Sequence, residues 1–462
     1  MAVSAEVNAP KGKRISAFSG APVRRELGEL VRLSIPIVAS RVGMMTMGLV
    51  DVLVVSHYST KELGYQALGW APTAIIMVSA VGLVSGVQVI SSRRIGEGRP
   101  RETGEVFHLG LISSIILGLI AALALVTLGP WGLANLRMDP DLVRGASGVL
   151  RVLAWSMPFH IILTAATSYL EALKRPKPAT LAMWVCNGVN LGLNLLFVPG
   201  ALELPAMGAQ GAAWATFGSR GVLAAWLVIY VLRMKDARDW GLYDRFRPSW
   251  FSVAELFKPG VGAAASYFVE VAAFNAMNVY AGWIGAATVA AWSVILNVMA
   301  VVFMLPLGLA TATAVLVGRA YGADDRRGMV RAGTLGFGVS TFVLGLVSLV
   351  VGLFPRTIGG AYTGDPALLG QVAPGLVLAA ASLFFVVDGL QVVGAQSLRA
   401  RADVLAPTLT HTLSYLIFMV PLGWYLAIHQ HMGLSGILWS VIVASFASAG
   451  LLVGRFILLA RR

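Results

Sequence analysis

The sequence predicts an all-α polytopic membrane protein of about twelve transmembrane helices, built as two parallel six-helix repeats. Composition gives the class. Of 462 residues, 57% are hydrophobic and only 12% charged, with a mean hydropathy of +0.77. Soluble proteins carry roughly 25% charged residues. Half that density cannot solvate a globular surface, which excludes a soluble enzyme and a disordered chain. Periodic apolar segments give the helix count, and a constant offset between the two halves gives the repeat.

A bilayer core takes roughly 20 apolar residues per helix. Such segments fall near 30–56, 67–91, 106–129, 147–171, 179–199 and 208–232, then near 253–283, 286–316, 331–354, 369–397, 404–428 and 433–458. Residues 1–27 hold Lys11, Lys13, Arg14, Arg24 and Arg25 but no apolar core of signal-peptide length. They read as a mobile basic tail.

Lys+Arg 35 against Asp+Glu 22 leaves a net charge of +13. In a soluble domain that excess would suggest nucleic acid; in a membrane protein it marks cytoplasmic loops. The even-numbered loops are rich in Arg and Lys: Arg93, Arg94, Arg99 and Arg101 after the second span, Lys174, Arg175 and Lys177 after the fourth, Arg233, Lys235, Arg238, Arg245, Arg247 and Lys258 after the sixth, Arg319, Arg326, Arg327 and Arg331 after the eighth, Arg399 and Arg401 after the tenth. The odd-numbered loops hold little beyond Lys61, Arg137, Arg144 and Arg356. Even loops and both termini are therefore expected in the cytoplasm, with no nucleic-acid partner. The lone Cys186 makes neither an internal disulfide nor a metal site.

The duplication shows as matching residues. Glu29-Leu30 aligns with Glu255-Leu256, and Arg93 and Gly96 align with Arg319 and Gly322, all at an offset of 226. Met207-Gly208-x-x-Gly211-x-x-Trp214 matches Met432-Gly433-x-x-Gly436-x-x-Trp439 at an offset of 225. Six spans return the chain to its starting side, so the repeats are related by an axis along the membrane normal. The expected division is a tail at 1–27, an N-lobe at 28–235, a cytoplasmic linker at 236–252 and a C-lobe at 253–462. Transporters built this way hold substrate between the halves near midplane.

Charges at the bilayer centre are costly and mark functional candidates. Three acids lie well inside spans: Asp51 in the first, Glu270 in the seventh and Asp388 in the tenth. Glu171 and Glu255 sit at cytoplasmic span ends, where hydration is expected to account for them. Arg41, Arg151 and Arg220 also fall within or near spans.

Asn187, Asn190 and Asn194 share one face of the fifth span. At 1.5 Å per residue, Asp51 and Asn194 lie at matching depth in the outer half of the first repeat. A carboxylate beside amides suits a proton or a small hard cation; interhelical packing is the plain alternative. Glu270 has Tyr267 and Phe274 one turn away on either side, while Asp388 has Phe384 before it and Gln391 after it. Carboxylates flanked by aromatic rings can receive organic cations. The plain alternative there is a structural ion pair with Arg41 or another arginine.

These residues resemble a family, the multidrug and toxic compound extrusion (MATE) transporters, and within it the bacterial NorM-like branch. The matching stretches are Met47-Gly48-Leu49-Val50-Asp51, Lys174-Arg175-Pro176-Lys177-Pro178, Asn190-x-x-x-Asn194 before Pro199-Gly200, Phe268-Val269-Glu270-Val271, and Asp388-Gly389-x-Gln391 followed by Leu398-Arg399. Glu171 departs from the pattern, because relatives carry a basic or amide residue before the Lys-Arg-Pro turn.

The resemblance implies twelve helices in a V-shaped, two-lobed transporter rather than an enzyme. It implies cation coupling and substrate handling at Asp51, Asn190, Asn194, Glu270 and Asp388; one-turn spacing from the last two acids adds Tyr267, Phe274, Phe384 and Gln391 as expected substrate contacts. No cofactor is expected. The coupling ion is Na⁺ or H⁺, with Na⁺ held at Asp51 and Asn194 or at Glu270 and Asp388. The expected function is cation-coupled antiport that exports amphipathic, often cationic compounds from a bacterial cytoplasmic (inner) membrane. The expected partners are small organic substrates and the lipid bilayer, and the expected state is a monomer. The rival is a flippase for a lipid-linked saccharide, whose anionic substrate calls for a cavity lined by arginines.

Overall fold

A computed structural model of the chain describes residues 23–135, 139–246 and 250–461, and among these it contains helices and no strand. The long helices in chain order are α1 (Val23–Tyr58), α2 (Thr60–Gly96), α3 (Pro100–Ala134), α4 (Pro140–Trp155 with Met157–Ala172), α5 (Lys177–Phe197) and α6 (Gly208–Leu232). They continue as α7 (Trp250–Ile284), α8 (Ala286–Gly322), α9 (Arg326–Leu353), α10 (Pro366–Ala381 with Phe384–Ala400), α11 (Leu405–His429) and α12 (Gly433–Arg461). Among the described residues nine are long and apolar enough to cross a bilayer, and each bent pair adds one. The 35-residue α7 stands where the seventh span is expected.

Lipid exposure explains the apolar outer faces. On α3, Ile112, Ile115, Ile116, Leu119, Ile120 and Leu123 are exposed at helical spacing, while Gly110, Ser114, Gly118, Ala121 and Leu125 face inward. Small inward residues let backbones approach. A Cβ at Gly118 would collide with the Pro158 backbone on α4.

The bends repeat as the sequence does. α4 turns by 41° and α10 by 56°. Their bends fall at Ser156 and Ser382, whose hydroxyls bond back to Leu153 O (2.6 Å) and Ala379 O (3.1 Å). The two serines are 226 positions apart.

The halves join at the arginine-rich end. Leu30, Leu33 and Ile37 of α1 share a buried cluster with Ala312, Val315 and Leu316 of α8. Gly82 of α2 abuts Ala264 of α7, and Gly308 of α8 abuts Val38 of α1. A Cβ at Gly96 would strike Arg319 O, and one at Gly322 would strike Arg93 O. Arg93 donates to Ala400 O (2.9 Å) and Arg399 O (2.7 Å) at the end of α10, while Arg319 donates to Ala172 O (2.6 Å) at the end of α4. Arg94 pairs with Glu255 at 2.5 Å, and Arg331 with Glu26 at 3.1 Å.

Several expectations need correction. Residues 23–27, assigned to the tail, form the first turns of α1, where Glu26 pairs with Arg331. Lys11, Lys13, Arg14, Arg137 and Arg247 lie outside the described residues. α7 starts at Trp250 rather than 253. Arg399 belongs to no loop: it is 2% exposed, inside the last turn of α10.

Candidate ion and substrate sites

The first cluster assembles around Asp51, which is 8% exposed on α1. Its Oδ1 accepts from Asn194 Nδ2 (2.7 Å) and Asn190 Nδ2 (3.1 Å), both on α5. Its Oδ2 accepts from the hydroxyl of Thr216 on α6. Three donors satisfy an ionised carboxylate without a direct ion pair. Asn194 Oδ1 is buried beside it with no protein partner. The oxygens a small hard cation could use here are the Asp51 carboxylate, the Thr216 hydroxyl and Asn194 Oδ1. Asn187, third in the stripe, leaves this cluster and donates to Gly43 O at 2.9 Å. It ties α5 to α1.

Sequence reasoning reads Arg220 only as an intramembrane charge and passes over Thr216. They are one turn apart on α6. Arg220 donates to Ser156 Oγ at 2.7 Å and lies 5.7 Å from the Trp70 ring. It stands within electrostatic range of Asp51. A threonine and an arginine one turn apart inside an apolar helix were the available signal.

The second cluster lies beside the α10 bend. Leu383, at φ +56°, caps the start of the second piece of the helix, and Asp388 sits just past that start. Gln391 Nε2 donates to Asp388 Oδ1 at 3.3 Å. Glu270 of α7 is within electrostatic range of Asp388 and of Arg399. The structure thus brings Glu270, Asp388 and Gln391 together.

The aromatic neighbours divide. Tyr267 accepts at its hydroxyl from Gln396 Nε2 (2.8 Å), and the Arg399 guanidinium lies 5.6 Å from its ring. Phe274 is partly buried, with its ring 6.4 Å from that of Tyr415. Phe384 departs from expectation. It is 3% exposed and packs edge-on against Phe385, so its ring fills the core and walls no cavity.

The remaining charges are structural. Glu171, expected to be hydrated, is 1% exposed and accepts from Arg41 Nη2 at 3.0 and 3.3 Å. Glu255, also expected to be hydrated, meets Arg94. Arg151 is exposed and joins neither cluster. Among the described residues no group of three His, Cys, Asp or Glu side chains is placed to hold a metal ion.

One family model, MatE, matches this chain twice, over residues 36–196 and 263–425. The chain belongs to the MatE family. The first MatE segment contains Asp51, Asn190 and Asn194, and the second contains Glu270 and Asp388; Thr216 and Arg220 fall between them. The chain is 48% identical over 439 residues to a probable multidrug resistance protein NorM of Caulobacter vibrioides, covering 94% of this chain and 92% of that one. It is 26% identical to a multidrug resistance protein NorM of Aliivibrio fischeri, over 95% of this chain and 96% of that one. Among solved structures, an outward-facing multidrug resistance MATE transporter superposes with a TM-score of 0.86 at 22% identity, covering 95% of this chain and 97% of that one. A transporter from Pyrococcus furiosus, described as having a binding pocket of reversed polarity, gives a TM-score of 0.86 at 20% identity over 94% of this chain and 96% of that one. At those identities the likeness concerns the MatE fold, two lobes of six helices.

Proposed function

We propose that the chain is a cation-coupled antiporter that exports amphipathic, often cationic compounds by alternating access across a bacterial cytoplasmic membrane. One observation carries the reading: Asp51, Glu270 and Asp388 form no ion pair among the described residues and lie beside amides, a hydroxyl or one another. Carboxylates held this way are available for exchange between a coupling ion and a cationic cargo. The multidrug resistance names of the NorM relatives support the same substrate class.

The division of labour follows the chemistry. The Asp51 carboxylate, with a hydroxyl and an amide oxygen beside it, suits Na⁺ or H⁺. The Glu270–Asp388 pair, with Phe274 nearby, suits an organic cation in competition with the coupling ion. The lobes join at the arginine-rich end, which the positive-inside rule assigns to the cytoplasm, so the seam between them lies on the inner side.

Energetics bound the exchange. Exporting one positive charge against 100 mV costs about 2.3 kcal/mol, which one entering cation returns. A one-for-one exchange is then driven by the chemical gradients alone. Arg220 is the observation that favours the flippase rival, but it bonds Ser156 rather than lining a basic cavity. The test is drug efflux from proteoliposomes under imposed Na⁺ or pH gradients. Efflux that follows neither gradient would refute coupling.

A further inference from the structure

The C-lobe buries a guanidinium without a carboxylate in contact. Arg399 is among the largest fully buried side chains, and its Nε and Nη2 have no hydrogen-bond partner. Around it the same condition recurs. His411 is 2% exposed, with neither ring nitrogen partnered. Tyr415 and Ser445 on α11 and α12 are equally buried, and neither hydroxyl has a partner beyond the other.

These groups form one neighbourhood. The Arg399 guanidinium lies 5.6 Å from the Tyr267 ring, and the His411 and Tyr415 rings are 5.6 Å apart. α11 widens here into a π-helix over Thr412–Met419, which carries Tyr415; such stretches often mark functional positions. A dry core does not tolerate several orphaned polar groups at once. Water with two to four polar partners is the usual resolution. The charged and titratable groups that interact with Arg399 are Tyr267 and Glu270 of α7 and His411 of α11. Arg93 of α2 reaches only its backbone carbonyl, and Asp388 shares its helix and faces Glu270.

We propose that Arg399, acting on Glu270, is the resident counter-cation of the Glu270–Asp388 pair. Acting through a hydrated pocket shared with His411 and Tyr415, it leaves the ionised pair with a single net negative charge, so that one proton or one monovalent organic cation neutralises the site. Arg399 is a positioning residue, and it meets no cargo. The inference deepens the reading of Glu270 and Asp388 as the exchanging carboxylates and rests on it.

The test reads protonation directly, without transport. Infrared titration of the carboxyl stretch in ligand-free protein in nanodiscs follows the pair, with Glu270→Gln and Asp388→Asn assigning the bands. Arg399→Met should raise the protonation midpoint by about one pH unit or more, since loss of a nearby positive charge favours the neutral acids. Arg399→Lys should restore it. Should Arg399→Met fail to fold, Arg399→Gln removes the charge while keeping a polar head, and the same midpoint decides. A folded charge-loss variant with an unchanged midpoint overturns the proposal, as does a Lys variant displaced as far as Met. Tetraphenylphosphonium binding by Glu270→Gln and Asp388→Asn separates the two readings. Wild-type binding in both, with the Arg399 displacement intact, would sink the transport assignment and leave the counter-cation standing.

Discussion

Arg41 and Glu171 are 130 residues apart in sequence and meet at 3.0 Å between α1 and the end of α4. The contact spares each a buried, uncompensated charge, and it holds α1 against the bent helix. Removing one partner of a buried pair costs about 3–5 kcal/mol, whereas replacing both with apolar residues is often neutral. Glu171→Leu should therefore lower the thermal unfolding midpoint in detergent, and Arg41→Met/Glu171→Leu should recover most of the loss. Additive losses in that double-mutant cycle would deny the coupling.

Topology can be checked with single thiols, because the native Cys186 is buried. Asp239→Cys lies between the halves and should react only from the cytoplasm. Glu203→Cys, in the exposed turn before α6, should react from outside. Reaction of residue 239 in intact cells would invert the orientation.

Asp51→Asn keeps size and removes charge, so coupled efflux should be lost while membrane insertion is retained. Asn194→Ala and Thr216→Val each delete one donor to Asp51. They should weaken coupling less, because a water can replace one neutral hydrogen bond. Gradient-driven efflux at the wild-type rate in Asp51→Asn would reduce that carboxylate to a packing role.

Glu270→Gln and Asp388→Asn should weaken binding of cationic drugs more than of neutral ones. In a partly wet cavity, losing one carboxylate 4 Å from a cation costs about 1–4 kcal/mol, or about fivefold to several hundredfold in affinity. Isotherms for one cationic and one neutral ligand on each purified variant give the answer. Equal losses for both ligands would mean that the acids hold the lobe together.

Gly96→Val should prise the arginine-rich end apart, since every atom close to a Cβ there belongs to the other lobe. Overpacking of this kind costs about 1–3 kcal/mol, enough to shift the balance of states by fivefold or more. Spin labels at Lys177→Cys and Ala323→Cys, both exposed at that end, should show a longer distance in the Gly96→Val background. An unchanged distance would mean that the seam absorbs the side chain by local adjustment.

The legible features were those that local physics determines. Long apolar segments had to be helices, and Asp51 and Asn194 could be matched in depth because helical rise is fixed. What escaped depends on how helices dock. Glu171 looked like a hydrated span end, because only packing brings Arg41 to it. Phe384 looked like a neighbour of Asp388 one turn away, but the bend at Ser382 and Leu383 turns its ring into the core. Arg399 looked like a loop charge because hydropathy windows end spans at arginines, whereas the helix carries it inside.

The seam between the lobes relates each contact to a twin. Gly82 on Ala264 answers Gly308 on Val38, and Gly96 on Arg319 answers Gly322 on Arg93, with all four correspondences at 226 positions. Such a joint is isologous, the kind two identical subunits use when they pair about a two-fold axis. The acids obey no such rule. At the same offset Asp51 corresponds to Met277, Glu270 to Met44 and Asp388 to Ile162. In a true dimer every substitution lands twice, so the joint and the cavity would have to change in step. Fused into one polypeptide, the halves can keep a symmetric bearing while the acids of each wall diverge, as the proposed ion and cargo sites require.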